Sequence, residues 1–181
     1  MKISLNNKLL ILLVFVGLVV FAVTMRLLPH PPNFAPIAAI AIFSGALLPR
    51  KYAYILPLVA MIISDIFIGL HPLVYATWGS FALIAVLAEY TMRRPNVSKM
   101  VGTTLAGSLI FFVISNFAVW VQGTMYSQNF AGLVQCYYNA LPFFRNTAMG
   151  DLTYVAFLFG SYYLIKIIVK QSKSLAISIR A

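Results

Sequence analysis

The chain has 181 residues, of which 62% are hydrophobic and 9% charged, and its formal net charge at pH 7 is +10. This composition excludes a soluble globular protein, because so few polar groups cannot cover the surface of a domain of this size. It also argues against nucleic acid as a partner, because nearly all of the positive charge lies beside apolar runs, where it serves membrane topology and attraction to anionic lipid.

Six apolar segments follow one another, and we predict an all-α membrane protein with six transmembrane helices in one bundle, a single domain over residues 1–181. An α-helix rises about 1.5 Å per residue, so about 20 residues cross the hydrocarbon core of a bilayer. The first segment also has the layout of a signal peptide, since Lys2 and Lys8 precede it, but no clear A-x-A cleavage site follows it. The predicted spans are residues 9–28, 36–48, 53–70, 74–92, 100–122 and 148–169.

A proline-rich outer loop separates the first two spans. Pro29, Pro31, Pro32 and Pro36 rule out a continuing helix and favour an extended connection. The second span is too short to cross the hydrocarbon by itself, so the preceding segment is expected to enter the protein. Irregular backbone survives at membrane depth only where it is buried in protein or lines a wet cavity. We therefore predict a cavity at the outer end of the second span.

The longest connection covers residues 123–147, which are too polar to span a membrane but rich in Tyr, Phe and Leu. Connections of this length are often functional, and an amphipathic segment of this composition suits a membrane interface. We predict a long outer loop before the last helix, forming a lid or an interfacial helix.

Basic residues alternate along the chain in the manner that sets membrane orientation. Eleven of the thirteen Lys and Arg residues fall on one side of the predicted spans, and Arg26 and Arg145 fall on the other. Because short cytoplasmic loops collect Lys and Arg, both termini are predicted to lie inside. The predicted cytoplasmic set is Lys2, Lys8, Arg50, Lys51, Arg93, Arg94, Lys99, Lys166, Lys170, Lys173 and Arg180.

Polar residues of the predicted spans lie mostly in the outer halves. Asp65, Asn116 and Asp151 are near the outer ends of the third, fifth and sixth spans, whereas Glu89 is the one ionisable group of the inner half. Intramembrane ionisable groups are costly and usually face a bundle interior or water, so we predict an outward-facing substrate pocket. Its candidate residues are Arg26, His30, Asn33, Asp65, His71, Trp78, Asn116, Trp120, Tyr126, Asn139, Arg145, Asn146 and Asp151.

The carboxylates also have structural alternatives. Asp65 is suited to pairing with Arg26 or with Arg145 across the bundle. Asp151 follows residues 146–147, Asn and Thr, which suit the N-cap of the last helix, and the helix dipole stabilises a carboxylate in a first turn. Each carboxylate is therefore a candidate either for ligand contact or for holding helices together.

The remaining candidates have structural alternatives as well. Asn116 suits a hydrogen bond to another helix, and the outer aromatic residues suit an interfacial belt as well as a stacking pocket. His30 and His71 are too few for a metal site unless Cys136, the single cysteine, or a carboxylate joins them. We predict no bound metal and no cofactor.

Small residues recur four apart in the second span, at Ala35 and Ala39 and at Ala41 and Gly45. This spacing lets another helix approach closely, either within the bundle or from a partner subunit. The chain has no G-x-x-x-x-G-K-[ST] motif, so hydrolysis of ATP through a P-loop would require other chains.

Several short motifs resemble those of a group of small bacterial membrane proteins of unassigned substrate. They are RLLPHPPNFAPI at 26–37, GALLPR at 45–50, SD at 64–65, PFFRNT at 142–147 and GD at 150–151. That group resembles the substrate-binding S components of energy-coupling factor (ECF) transporters, and the resemblance covers roughly residues 8–170.

The resemblance implies a membrane transport protein of the bacterial cytoplasmic membrane, which binds a vitamin or cofactor precursor in an outward-facing pocket. In some such systems a transmembrane coupling subunit and ATPases drive uptake. One alternative is a solitary corrinoid transporter that ligates cobalt through Cys136, and another is a structural or assembly subunit without a ligand. A membrane enzyme is not expected, since its best catalytic pairs would be Cys136 with His71, or Asp65 with Asp151.

Overall fold

The structure is a computed structural model that describes residues 8–180, with the side chains of residues 8–172. Lys2 and the side chains of Lys173 and Arg180, which were assigned to the cytoplasmic set, lie outside the described part. Within it the fold is all-helical, with six helices and no strand, which confirms the predicted class. The helices are α1 Lys8–Leu27, α2 Ile37–Leu47, α3 Arg50–Ile68, α4 Val74–Thr91, α5 Val97–Gln122 and α6 Phe130–Arg180.

Four of these helices are long and apolar enough to cross a membrane, namely α1, α3, α5 and the Phe130–Ser172 part of α6. The shortest helix, α2, has 11 residues, and α4 has 18. A helix of 11 residues is about 17 Å long, which is well below the thickness of a bilayer core. The chain therefore has the long apolar helices of a membrane protein together with one helix that is too short to span by itself.

Helix α2 forms the centre of the packing, because all of its residues are buried. It contacts every other helix. The approach to α4 is closest at Gly45, where an added Cβ would lie 2.6 Å from the carbonyl oxygen of Ala85 and 2.9 Å from the Cβ of Ala88. The small residues within α2, namely Ala39, Ala41 and Gly45, thus serve internal packing rather than contact with a partner subunit, because α2 has no exposed face.

A short turn joins α5 to α6. Gly123 ends α5 in the left-handed region at φ 72°, where a side chain would be strained. The side chain of Asn129 accepts a hydrogen bond from the backbone N–H of Gly132 at 2.8 Å and so caps the first turn of α6. The indole N–H of Trp120 donates to the carbonyl oxygen of Ser127 at 3.0 Å. These bonds close the connection within residues 123–129.

The predicted long outer loop is wrong, because α6 is one continuous helix of 51 residues beginning at Phe130. Its first part packs along α5, where the hydroxyl of Tyr137 donates to the carbonyl oxygen of Val113 at 2.8 Å. Gly132, Cys136 and Ala140 recur four apart and are buried, which gives this segment one packed face. Several polar residues of this segment lie on the opposite face and raise its average polarity. The average therefore did not indicate a helix, although the buried face packs against α5.

The two ends of the bundle carry different sets of charged residues. At one end Arg50 Nε donates to Glu89 Oε1 at 2.5 Å, and the hydroxyl of Tyr54 also donates to Glu89. The guanidinium of Arg93 lies 5.5 Å from the ring centre of Tyr90 near the same end. The opposite end carries Arg26 and the proline-rich loop, and it is there that the bundle opens.

Candidate functional site

A cavity of about 400 Å³ lies at the end of the bundle opposite Arg50. All six helices and two loops contribute to its wall. The cavity borders Ile37, the first residue of α2, and a cavity was predicted at this end of the short second span. The residues that line it are Arg26, His30, Asn33, Ala35, Ile37, Met61, His71, Leu73, Thr77, Phe81, Phe111, Phe112, Ser115, Asn116, Val119, Phe143, Thr147 and Asp151.

The proline-rich loop is held against α6 at the edge of the cavity. Asn33 has φ 62°, which turns the chain back toward the bundle. The ring of Phe34 then packs on Gly150, where an added Cβ would lie 3.0 Å from Phe34 Cδ2. Phe34 and Tyr154 also pack, with ring centres 5.6 Å apart. A side chain at position 150 would push Phe34 outward, so this glycine allows the loop to pack against α6.

Arg26, which lines the cavity, forms an ion pair with Asp65, which does not line it. Arg26 Nη1 donates to Asp65 Oδ1 at 2.7 Å, and the indole N–H of Trp78 donates to Asp65 Oδ2 at 2.7 Å. Nη1 also contacts the hydroxyl of Ser64 and the sulfur of Met61. Asp65 is 1% exposed, and Arg26 is one of the two partners that the sequence left open for it.

The ion pair leaves part of the Arg26 guanidinium unused. All the hydrogen bonds that Arg26 makes to described residues run through Nη1. The Nε and Nη2 groups have no such partner within the described chain, and Arg26 lines the cavity. A guanidinium donates through a planar fork that suits carboxylate or phosphate oxygens, so this free edge can bind a hydrogen-bond acceptor.

Asp151 lies in the middle of α6 and is 2% exposed. Its Oδ2 accepts a hydrogen bond from the hydroxyl of Ser108 on α5 at 2.6 Å. The alternative that residues 146–147 cap the start of this helix is wrong, because the helix begins 16 residues earlier, at Phe130. The carboxylate of Asp151 is therefore not stabilised by the dipole of a helix N-terminus. Asp151 lines the cavity.

An aromatic wall completes the cavity. The rings of Phe81 and Phe111 are stacked with centres 5.1 Å apart and planes inclined at 21°. Phe112 also lines the cavity, and its ring packs against Phe144 with centres 4.9 Å apart. The site thus combines apolar rings with a few fixed polar groups, which is the usual composition of a small-molecule pocket.

Six of the thirteen predicted site residues line the cavity, and two more lie directly behind it. Asp65 and Trp78 are bonded to each other in the ion-pair cluster. The amide of Asn116 donates to the carbonyl oxygen of Phe112 on its own helix at 2.7 Å, and so does not join another helix. The six at the wall are Arg26, His30, Asn33, His71, Asn116 and Asp151.

The other five predicted residues do not line the cavity. Trp120 and Tyr126 lie at the short turn that joins α5 to α6. The side-chain amide of Asn139 donates to the Tyr126 hydroxyl at 3.5 Å. Arg145 is exposed and Asn146 is half-buried. Residues 123–147 were predicted to form a lid or an interfacial helix, but in α6 the side chains of Asn139, Arg145 and Asn146 do not line the cavity.

Cys136 is also away from the cavity. It was expected in an outer loop, but it lies in α6, is 1% exposed, and its sulfur contacts the carbonyl oxygen of Asn116 at 3.4 Å. A cobalt ligand needs a reachable thiolate, and this sulfur is packed between α5 and α6. No group of three or more His, Cys, Asp or Glu residues comes together within the described chain.

Sequence reasoning missed the hydroxyl residues of the site. Thr77, Ser115 and Thr147 line the cavity, and Ser108 binds Asp151. Hydroxyls in membrane helices commonly bond the carbonyl four residues back, as Ser115 does with Phe111 at 2.6 Å, so they give a weak sequence signal. Helical spacing would have found them, since Ser108 and Ser115 are seven apart and share a face.

The model of the "Family of unknown function (DUF6580)" matches residues 5–174. No curated protein and no solved structure matches the chain.

Proposed function

The chain belongs to DUF6580, and we propose that it is a multi-pass membrane protein that captures a small organic solute in the cavity between its helices. The observation that carries this proposal is the cavity itself, with a volume of about 400 Å³ and a wall of aromatic and fixed polar side chains. Ligand pockets have volumes of roughly 300–1,000 Å³ and are mostly apolar with a small number of placed polar groups. A scaffold protein would need no such space.

The chemistry of the wall defines what the solute offers. The free edge of Arg26 suits a hydrogen-bond acceptor, such as a carbonyl, carboxylate or phosphate oxygen. The stacked rings of Phe81 and Phe111 suit a planar or apolar part of the solute. We propose a compact organic molecule that has both an acceptor group and a planar or apolar part. A vitamin or a cofactor precursor fits this description.

The proposed role is uptake, in the manner of an ECF S component. Both termini lie in the cytoplasm, the cavity faces outward, and the membrane is the bacterial cytoplasmic membrane. If uptake is driven by ATP, partner chains supply the ATPases and a coupling subunit, and they bind the basic end near Arg50 and Arg93. A shift between outward and inward access then follows from different affinities of the two states for the solute.

The solute proposal predicts that Asn116→Leu lowers the fraction of protein that carries a bound small molecule. Asn116 lines the cavity, and the loss of one polar contact costs about 1–3 kcal/mol when the group that it leaves is buried, which corresponds to about 5- to 150-fold in affinity. The measurement is native mass spectrometry of the chain purified in mild detergent.

The matched control is Asn139→Leu, which makes the same change at an exposed position of α6. This variant should carry as much bound molecule as the wild type. Wild-type protein without any bound small molecule, or equal occupancy in both variants, would contradict solute capture at this cavity.

The proposed orientation predicts which exposed sites an impermeant maleimide can label in intact cells. Met125, in the α5–α6 turn, is 71% exposed, and Arg94 is exposed at the opposite end. In a Cys136→Ala background, Met125→Cys should be labelled from outside, whereas Arg94→Cys should be labelled only after the membrane is opened. The reverse pattern would overturn the orientation.

A further inference from the structure

The charges of the cavity do not balance. Among the described residues that line it, Arg26 and Asp151 carry formal charges, and His30 and His71 are the other titratable groups. Arg26 already pairs with Asp65 at 2.7 Å, so these two charges cancel each other. Asp151 is left as one formal negative charge, within a chain whose net charge is +10.

Asp151 has a single hydrogen-bond partner among the described residues, the hydroxyl of Ser108. No salt bridge within this part of the chain reaches its carboxyl group, and yet the residue is 2% exposed. Its second oxygen, Oδ1, accepts no hydrogen bond from the described protein groups. Buried carboxylates are normally paired with a cation or bound by several donors, so Oδ1 is an acceptor without a donor at the wall of a cavity.

The surroundings of Asp151 favour a cationic partner. The stacked rings of Phe81 and Phe111 share the cavity with it, and the faces of aromatic rings attract ammonium groups. Among the described residues of the cavity wall, Arg26 is the one Lys or Arg, and it is already paired with Asp65. The wall therefore offers Asp151 no other lysine or arginine as a partner. The histidines lie on exposed loops at the opening.

We infer that the captured solute carries a positively charged nitrogen, which binds the carboxylate of Asp151 while its acceptor group binds the free edge of Arg26. This inference rests on the proposed function and names the class of its solute. The two protein charges then meet opposite groups of the same molecule, and an anion or a neutral hydrocarbon of the same size is rejected because it leaves Asp151 unpaired.

The test compares two probes of nearly identical shape, 2-phenylethylamine, which is an ammonium ion at pH 7, and 2-phenylethanol, which is neutral. Their affinities are measured from the ligand-dependent shift in thermal unfolding of the full chain in detergent. The amine should bind the wild type about tenfold or more tightly than the alcohol, since bonds to charged groups are the stronger ones.

Two variants locate the effect. Asp151→Asn keeps the size and polarity of the side chain and removes its charge, so the preference for the amine should disappear. Ser108→Ala keeps the charge and removes the competing donor, so the preference should remain. A purely structural role of Asp151 would change the stability of both variants but not the ratio of the two affinities.

Equal affinity of both probes for the wild type overturns the inference without any variant. It is also overturned if Asp151→Asn keeps the preference, or if neither probe shifts the unfolding temperature. In each of these cases a molecule without a basic nitrogen, co-purified with the wild type and lost in Asn116→Leu, would still support solute capture. Absence of any co-purified molecule counts against the proposed function instead.

Discussion

Replacement of Arg26 by methionine is expected to destabilise the folded chain by about 3–5 kcal/mol, because it leaves a buried carboxylate without its cation. Asp65 is 1% exposed and 2.7 Å from Arg26 Nη1. Trp78 would remain as its donor, but one neutral N–H offsets only part of the cost of a buried charge. The measurement is the unfolding midpoint in mixed detergent and SDS micelles.

A double variant separates the charge from the packing. Arg26→Met with Asp65→Leu removes both charges and keeps the side-chain volume similar, and replacement of a buried pair by apolar residues is often neutral. The double variant should therefore recover most of the stability that the single variant loses. If Arg26→Met alone changes the free energy of unfolding by less than about 1 kcal/mol, which is an ordinary effect for a point mutation, the pair does not hold α1 to α3.

Gly45→Ala is expected to give the second large effect, a loss of about 1–3 kcal/mol or more. The added Cβ would lie 2.6 Å from the carbonyl oxygen of Ala85, and a backbone atom cannot rotate out of the way. Either α2 or α4 would have to move, and α2 is buried along its whole length. The same unfolding assay measures the loss.

The control for this change is Gly79→Ala on α4, where an added Cβ meets no atom within 4 Å. Both substitutions gain helix propensity, worth up to about 1 kcal/mol, so the difference between them reports the contact between α2 and α4. Gly79→Ala should be neutral or stabilising. If the two variants were equally stable, close packing of α2 would not contribute to the fold.

Several features could be predicted from the sequence because they depend on short stretches of chain. The all-helical class, the number of helices and most of their ends follow from apolar run length and from punctuation such as the prolines of residues 29–36. The cavity beside α2 follows from the same reasoning, since a helix of 11 residues must be completed by buried irregular backbone.

The start of α6 could not be predicted in this way. Residues 130–147 resemble a loop by average polarity, and their helix is supported by contacts with α5, such as that between Tyr137 and Val113. Most helical stability in proteins comes from packing of one face, and the partner of that face is distant in sequence. Three candidate residues of this segment, Asn139, Arg145 and Asn146, were placed at the pocket because the segment was predicted to be a lid or an interfacial helix.

The sequence by itself determined that the chain forms apolar helices and which charged and polar residues are grouped near each end, because these properties depend on neighbours along the chain. Only the tertiary structure decided that Arg26 pairs with Asp65, that Arg145 is outside the cavity, and that Asp151 has one hydrogen-bond partner among the described residues. These depend on the rotation and depth of each helix, which are determined by close contacts such as that of Gly45 with α4. A side chain's partner is therefore a property of the packed bundle, and no local pattern encodes it.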